Sequence, residues 1–383
     1  MTTHNQSRLT FWPLPLRWPG VVDGYKTTAR PLAFSPDGRW LATSWADDRL
    51  RLWPMPGSGS SQARVFASPQ NPVWLSLQFD PKGRYLFAVG AEDEAWIVPL
   101  DGSPARQLQS FSKDTLLRSA AVSPTGRRVA SAFSYGQGSK TLRVWDVETG
   151  AVRVFSLPEP PPPAQDAPTA PSGFEAGVLS VGFLDDSTLY TGGHGGVRRW
   201  NLDTGSHELV VPVGTSARMW MTDDRKHALV HRKPLGRMDC APLELVDLAT
   251  GASRTLAEHA DCVFAVAAGP GGRLISGSHD GTIRLARRPG EEPHVLAGHA
   301  GRVEMVAISP DLRWIASTGE DNRLRLWPMP DLDTPPPHTL PHDQLVAKLQ
   351  SLTNLRAVRE AKSSTGWTVE LGPFPGWKDL PTR

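Results

Sequence analysis

In DNRLRLWPMP, residues 321–330, Leu324 and Leu326 alternate with Arg325 and Trp327 before Pro-Met-Pro follows. A period of two predicts a strand, and the prolines end it because they offer no N–H to a ladder. Nearly the same ten residues stand at 47–56 as DDRLRLWPMP, with a weaker copy, SRLTFWPLP, at 7–15. Recurrence of one element at this level implies a repeat architecture.

The clearest period is a turn: SPDGRW at 35, DPKGRY at 80, SPTGRR at 123, GPGGRL at 269 and SPDLRW at 309. Pro presets φ at the second turn position, and Gly takes the positive-φ position before the chain reverses. Two degenerate members, LDDSTL at 184 and TDDRKH at 222, bring the series to seven. Apolar runs such as VEMVAIS and WIAST flank the turns, so each joins two strands. A second series (PMPG, PLDG, DVETG, NLDTG, DLATG, RRPG and PMPD) follows each third strand, and short fourth strands such as ARVFAS and SHELVV come next. Four strands per unit at a spacing of about 40 to 55 residues predict an all-β propeller of seven four-stranded blades. One such small sheet cannot cover its own faces, whereas a ring of them packs every face on a neighbour.

Composition agrees with short strands and tight turns: 35 Gly, 36 Pro and 14 Trp in 383 residues. Lys plus Arg exceed Asp plus Glu by only two, and they are scattered, which disfavours nucleic acid. The longest apolar stretch, CVFAVAAG at 262–269, is too short to span a bilayer, and the N-terminus lacks a secretory pattern. Cytoplasmic location is the expectation, and the two cysteines, Cys240 and Cys262, are expected as free thiols.

LRVWDVETG at 142–150 and GHAGRVEMVAISPDLRWIASTGEDNRLRLW at 298–327 resemble the WD-repeat (WD40) β-propeller family, with the resemblance covering about residues 31–341. The resemblance implies a buried hydrogen-bonded chain of His, Ser or Thr, Asp and Trp in a blade, matched at all four positions by His299, Ser317, Asp321 and Trp327. Chemistry agrees: each donor in that series has an acceptor, so buried polar groups are satisfied. Partial sets are Thr43, Asp47 and Trp53, without the His, and His259, Ser276 and Asp280, facing Ala286 in place of Trp. Blade four offers Thr191 and Trp200, but its turn GGHGGV lacks the Asp.

At the C-terminus, DQLVAKLQSLT at 343–353 places Leu345, Val346, Leu349 and Leu352 on one helical face, and LRAVRE and GWTVEL flank AKSSTG as a hairpin. The expected organisation is an N-terminal arm at 1–30, the propeller at 31–341 and an appendage at 342–383. LTNLRAVREAKSSTGWTVELGPFPGW is similar to the ends of WD-repeat arrays in bacterial proteins that also carry a Ser/Thr protein kinase. RLTFWPLP matches a third strand and LRWPGVV a fourth, so an eighth, composite blade completed by the C-terminal hairpin is the alternative to seven. A fragment of a longer array is a further alternative.

No kinase motif is present, nor a nucleophile elbow or zinc-protease helix motif, and GQGSKT at 136–141 lacks phosphate-loop spacing. His231, Cys240, His259 and Cys262 form a weak zinc candidate, set against a structural role for His259; no cofactor is expected. The proline run at 157–173 reads as an extended loop insertion. The resemblance implies a noncatalytic scaffold for protein partners, monomeric and placed in a bacterial signalling assembly. Candidate partner-facing residues are Trp45, Trp74, Tyr135, Trp220, Arg237, His279 and Arg302. An enzyme or small-ligand binder using the central channel mouth is the competing class.

Overall fold

The computed structural model describes residues 3–4, 8–9, 21–22, 31–44, 49–56, 58, 63–67, 74–90, 94–108, 117–133, 141–156, 178–233, 242–256, 259, 261–336, 339–344, 355–359 and 367–371. It divides into two compact units: residues 15–329, and residues 1–14 with 330–383.

The first unit is a seven-bladed antiparallel propeller. Blade one is Leu32–Phe34, Trp40–Ser44, Arg49–Pro54 and Arg64–Ala67; blade two is Trp74–Phe79, Tyr85–Gly90, Ala95–Pro99 and Arg106–Gln107. Blade three is Leu117–Val122, Arg128–Phe133, Thr141–Asp146 and Val152–Ser156. Blade six is Val263–Gly269, Arg273–Ser278, Thr282–Ala286 and His294–Ala297.

Blades four and five share one sheet, built from Val178–Phe183, Thr188–Asn201, His207–Met221, His227–Lys233, Leu243–Asp247 and Ser253–Thr255. Two of these runs serve twice. Residues 189–193 pair with blade four's first strand and residues 196–200 with its fourth. Residues 207–212 complete blade four, and residues 216–221 continue without a break as the first strand of blade five. The reversal inside the first run falls at Gly195 and Gly196, with φ of +80° and +131°, which explains why GGHGGV dispenses with the usual Asp turn.

Blade seven takes three strands from Val303–Ile308, Trp314–Gly319 and Leu324–Pro328, and its fourth is Val21–Val22 from the other end of the chain. The valines of LRWPGVV thus complete the seventh blade, and the composite eighth blade is not formed. Closure is visible at the innermost strands too, where each blade's first strand approaches the next and that of blade seven meets that of blade one.

Burial follows from the alternation. One face of each blade packs on its neighbour, as where Tyr85, Phe87 and Val89 of blade two meet Ala120, Val129 and Trp145 of blade three. The next layer sets Ala130, Leu142 and Val144 of blade three against Phe183, Leu189 and Trp200 of blade four. Leu41 and Met55 of blade one pack with Ala316, Leu324 and Leu326 of blade seven, so the seam where the ends meet has a core of its own. Each large side chain buried this way contributes about 1.5 to 3 kcal/mol.

Two polar devices repeat between blades. On the outer strands, Arg64 donates to the Leu100 carbonyl at 3.1 Å and Arg254 to that of Pro289 at 3.0 Å, with Arg106 on Val147 and Arg153 on Leu202 making the same reach. Each latches one blade to the turn after the third strand of the next. On the inner strands, the hydroxyls of Ser76, Ser119 and Ser180 accept the N–H groups of Ala120, Val181 and Met219, at 3.2, 3.0 and 2.8 Å. These hooks run from blade two to blade five.

The turn series forms as its residues require. Gly38, Gly83 and Gly126 have φ of +67°, +67° and +71°, while Leu312 of SPDLRW takes +58° without being glycine. Gly126 answers a second demand, since a Cβ there would lie 1.7 Å from Asp80 Oδ1, the carboxylate that Arg84 grips from blade two.

In the other unit, Thr3–His4 pairs with Arg8–Leu9, and Leu355–Arg359 pairs antiparallel with Trp367–Leu371 as the hairpin reading required. Residues 342–344 are helical; the rest of 343–353, the proline run at 157–173 and all of GQGSKT but Thr141 lie outside the described residues. Among the described residues no helix is long and apolar enough to cross a membrane.

Candidate functional site

Blade seven brings His299, Ser317, Asp321 and Trp327 into one chain. Trp327 Nε1 donates to Ser317 Oγ at 2.8 Å, and Ser317 Oγ lies 2.7 Å from His299 Nε2. On its other side, His299 Nδ1 lies 3.0 Å from Asp321 Oδ1 and 2.8 Å from Arg325 Nη1. Arg325, opposite Ser317 in the strand register and 1% exposed, adds an ion pair to Asp321 Oδ2 at 2.6 Å.

The electrostatics fix protonation. Burial lowers His299 below its ordinary value, with the Arg325 charge acting in the same direction and Asp321 opposing it, so the imidazole is neutral. Burial alone would raise Asp321, but the His299 hydrogen bond and the Arg325 charge outweigh it and hold the carboxyl well below its usual range.

The other blades show what happens as members are lost. Trp53 Nε1 donates to Thr43 Oγ1 at 2.8 Å, and Trp200 Nε1 to Thr191 Oγ1 at 2.9 Å; Asp47 lies outside the described residues. In blade six, His259 Nε2 is 2.7 Å from Ser276 Oγ, and Asp280 Oδ2 is 3.6 Å from Nδ1. Burial pushes His259 down to about 4 despite the Asp280 charge. Ala286 occupies the register position of Trp327, and a cavity of about 40 Å³ opens beside it, lined by Leu243, Leu256, Leu274, Ser276 and Ala286 among others. Blade three keeps Trp145 fully buried with its indole N–H unpaired, while Ser131 Oγ donates to the Ser119 carbonyl at 2.9 Å.

Of the four zinc candidates, three fall among the described residues. Cys262 is disulfide-bonded, so it supplies no thiolate and the expectation of a free thiol is corrected at that position. His259 is committed to Ser276 and Asp280, Cys240 lies outside the described residues, and His231 stands at the end of a strand pairing with Leu243. Among the described residues no group of three or more His, Cys, Asp or Glu side chains is placed to hold a metal ion.

Of the candidate partner-facing residues, Trp45, Tyr135 and Arg237 lie outside the described residues. Trp74 is corrected: it is 4% exposed and packs with Ala42, Leu50 and Leu77 between blades one and two, because its strand turns the indole into the inter-blade layer. Trp220 is partly buried against Leu229, Leu243 and Val266. His279 and Arg302 meet around Phe264, a residue the sequence reasoning did not select. The Arg302 guanidinium lies 4.4 Å from the Phe264 ring centroid, Arg218 lies 5.7 Å from it, and the His279 ring is 5.7 Å away. Phe264 sits at a β-bulge in the first strand of blade six, and Glu304 at the matching bulge of blade seven. Arg302 bridges them, donating from Nε to Glu304 Oε1 at 2.8 Å and pairing with Glu320 at 3.2 Å. One patch is thereby built from three consecutive blades, five to seven. The apolar alternation of CVFAVAAG hid Phe264, since a bulge changes which face a residue takes.

Three segments of the chain, residues 32–54, 252–285 and 290–328, match the family of the WD domain, G-beta repeat. The ubiquitin homeostasis protein lub1 of Schizosaccharomyces pombe is 36% identical over 74 residues, which cover 19% of this chain and 10% of that protein. The chain thus spans about a tenth of the length of the curated relative it matches.

Proposed function

We propose that this chain, a seven-bladed propeller carrying WD40 repeats, is a noncatalytic platform that captures a protein partner at the patch around Phe264. The observation that carries the reading is the convergence of Arg218, Phe264, His279 and Arg302 from three blades onto one partly exposed surface. Aromatic and Arg side chains held rigidly are the types that anchor interfaces, since little freedom is lost when a partner covers them. WD40 propellers are generally interaction scaffolds, but a fold alone assigns no partner, so the argument rests on the patch. The ring closes within one chain through Val21–Val22, which supports a monomeric platform. Likeness of the tail to kinase-linked arrays supports a bacterial signalling assembly as the setting, in the cytoplasm.

Pull-down from bacterial lysate with the full chain, beside a hydrolase substrate panel, tests this. The expected result is one specific captured protein, lost with Phe264→Ala at unchanged circular dichroism and melting midpoint, and no turnover. Turnover above background, or capture indifferent to Phe264→Ala, overturns it.

A further inference from the structure

We propose that blade four holds a carboxylate-binding site at Arg198, an arginine whose counterpart in blade seven is neutralised by an Asp. Blade seven shows the complete arrangement. Arg325 stands two residues before Trp327 and pairs at 2.6 Å with Oδ2 of Asp321, a carboxylate supplied by the turn between the second and third strands. Blade four keeps the same order, with Arg198 two residues before Trp200 and the indole on Thr191 Oγ1 at 2.9 Å. Its turn, GGHGGV, has no Asp to offer.

The charge stays behind without its acid. Arg51, Arg143, Arg284 and Arg325 hold the corresponding place in blades one, three, six and seven, and each engages a partner. Arg198 is partly buried and, among the described residues, makes no hydrogen bond or ion pair. Burial lowers its pKa, and no carboxylate acts against that. A guanidinium held partly out of water and unpaired is a charge that a bound anion relieves.

The turn leaves room for that anion. A Cβ on Gly195 would lie 3.6 Å from Arg198 Nη2, and apart from its chain neighbours no other described atom comes within 4 Å, so the glycine leaves the approach to the guanidinium open. Leu209, opposite Arg198 in the strand register and 42% exposed, sets an apolar wall beside it. His207 lies opposite Trp200, its ring 4.5 Å from the indole, and burial and then the Arg198 charge lower its pKa, so at neutral pH it adds no second charge. One planar cation beside an aliphatic side chain suits a carboxylate on a short stem, carried by a small free acid or by an acidic side chain of a partner. This site is separate from the Phe264 patch and does not depend on it.

His207 supplies the readout, because an anion that neutralises Arg198 removes one of the two causes holding its pKa down. The full chain is titrated with sodium propionate and with the blocked peptide acetyl-Ala-Glu-Ala-amide, against sodium chloride at equal ionic strength, while NMR follows the His207 imidazole. Both carboxylates are expected to raise the His207 pKa saturably, and chloride is not. Tighter binding of the peptide assigns the acid to a partner chain, and equal binding to a free acid; either supports the site. Arg198→Gln is expected to weaken binding by about tenfold or more and by itself to raise the His207 pKa, at a melting midpoint no lower than that of the unsubstituted protein. Arg199→Gln, one residue along and paired instead with Glu208, is expected to bind propionate normally. A His207 response to chloride equal to that to propionate, or unchanged affinity in Arg198→Gln, overturns the proposal.

Discussion

A buried imidazole that stays neutral makes the protein sensitive to acid. His259, pushed down to about 4 by burial, takes no proton in the fold at pH 5, whereas in the unfolded chain it takes one below its ordinary 6.5. The unfolded state then binds more protons, so stability is full above pH 6.5 and falls as pH drops toward 4. His299, also lowered by burial, acts in the same direction. Urea melts at pH 7.5 and 4.5 are expected to differ by on the order of 2 to 3 kcal/mol for His259, a slope that His259→Asn removes. Two of the buried tryptophans, Trp327 and Trp145, allow a second test. Trp327 donates to Ser317, but Trp145 carries an unsatisfied N–H. Both Phe substitutions lose the same area, yet Trp327→Phe also removes the hydrogen bond that Ser317 accepts, and it is expected to cost about 1 kcal/mol more than Trp145→Phe in denaturant melts. The four members of the blade-seven chain were legible through the resemblance to the WD-repeat family, which implies them. Arg325 was not, since an Arg in an alternating strand reads as its solvent face; only the register opposite Ser317 shows that it is buried.

Turns and strands carry the next level of constraint. Leu312 holds φ of +58° where Gly38 and Gly126 stand in sister turns, and a Cβ in that region costs about 1 to 2 kcal/mol. Leu312→Gly is expected to raise stability by about 0.5 to 1 kcal/mol after the entropy of the added glycine, read as a higher urea midpoint at unchanged slope. The turn series was readable from sequence because Pro and Gly act locally. The outer latches were present in the letters too, as the Arg of ARVF, ARQL, VRVF and SRTL at 64, 106, 153 and 254, but their acceptors are backbone carbonyls of the next blade. A carbonyl has no letter, so such contacts appear only once the blades are stacked. Trp74 failed as a surface residue for the same reason, its exposure being decided by the blade beside it.

At the scale of the whole ring, closure depends on Val21–Val22 pairing with Leu324 and Arg325. Deleting residues 1–22 is expected to lower stability by about 2 to 4 kcal/mol, with amide exchange rising first across Leu324–Pro328. A truncated chain that melts like the full one would contradict a clasping role for that strand. The count of seven units was readable from two series of turns, whereas the destination of LRWPGVV was not, because a fourth strand looks alike whichever third strand it joins. The pairing also fixes an order of events at the ribosome. Val22 and Leu324 are about 300 residues apart, so at about 5 to 20 residues per second the early valines wait roughly 15 to 60 seconds for their partner to emerge. During that interval the six earlier blades stand as an open arc with two bare flanks, the stage at which a nascent chain of this kind most needs shielding from its neighbours.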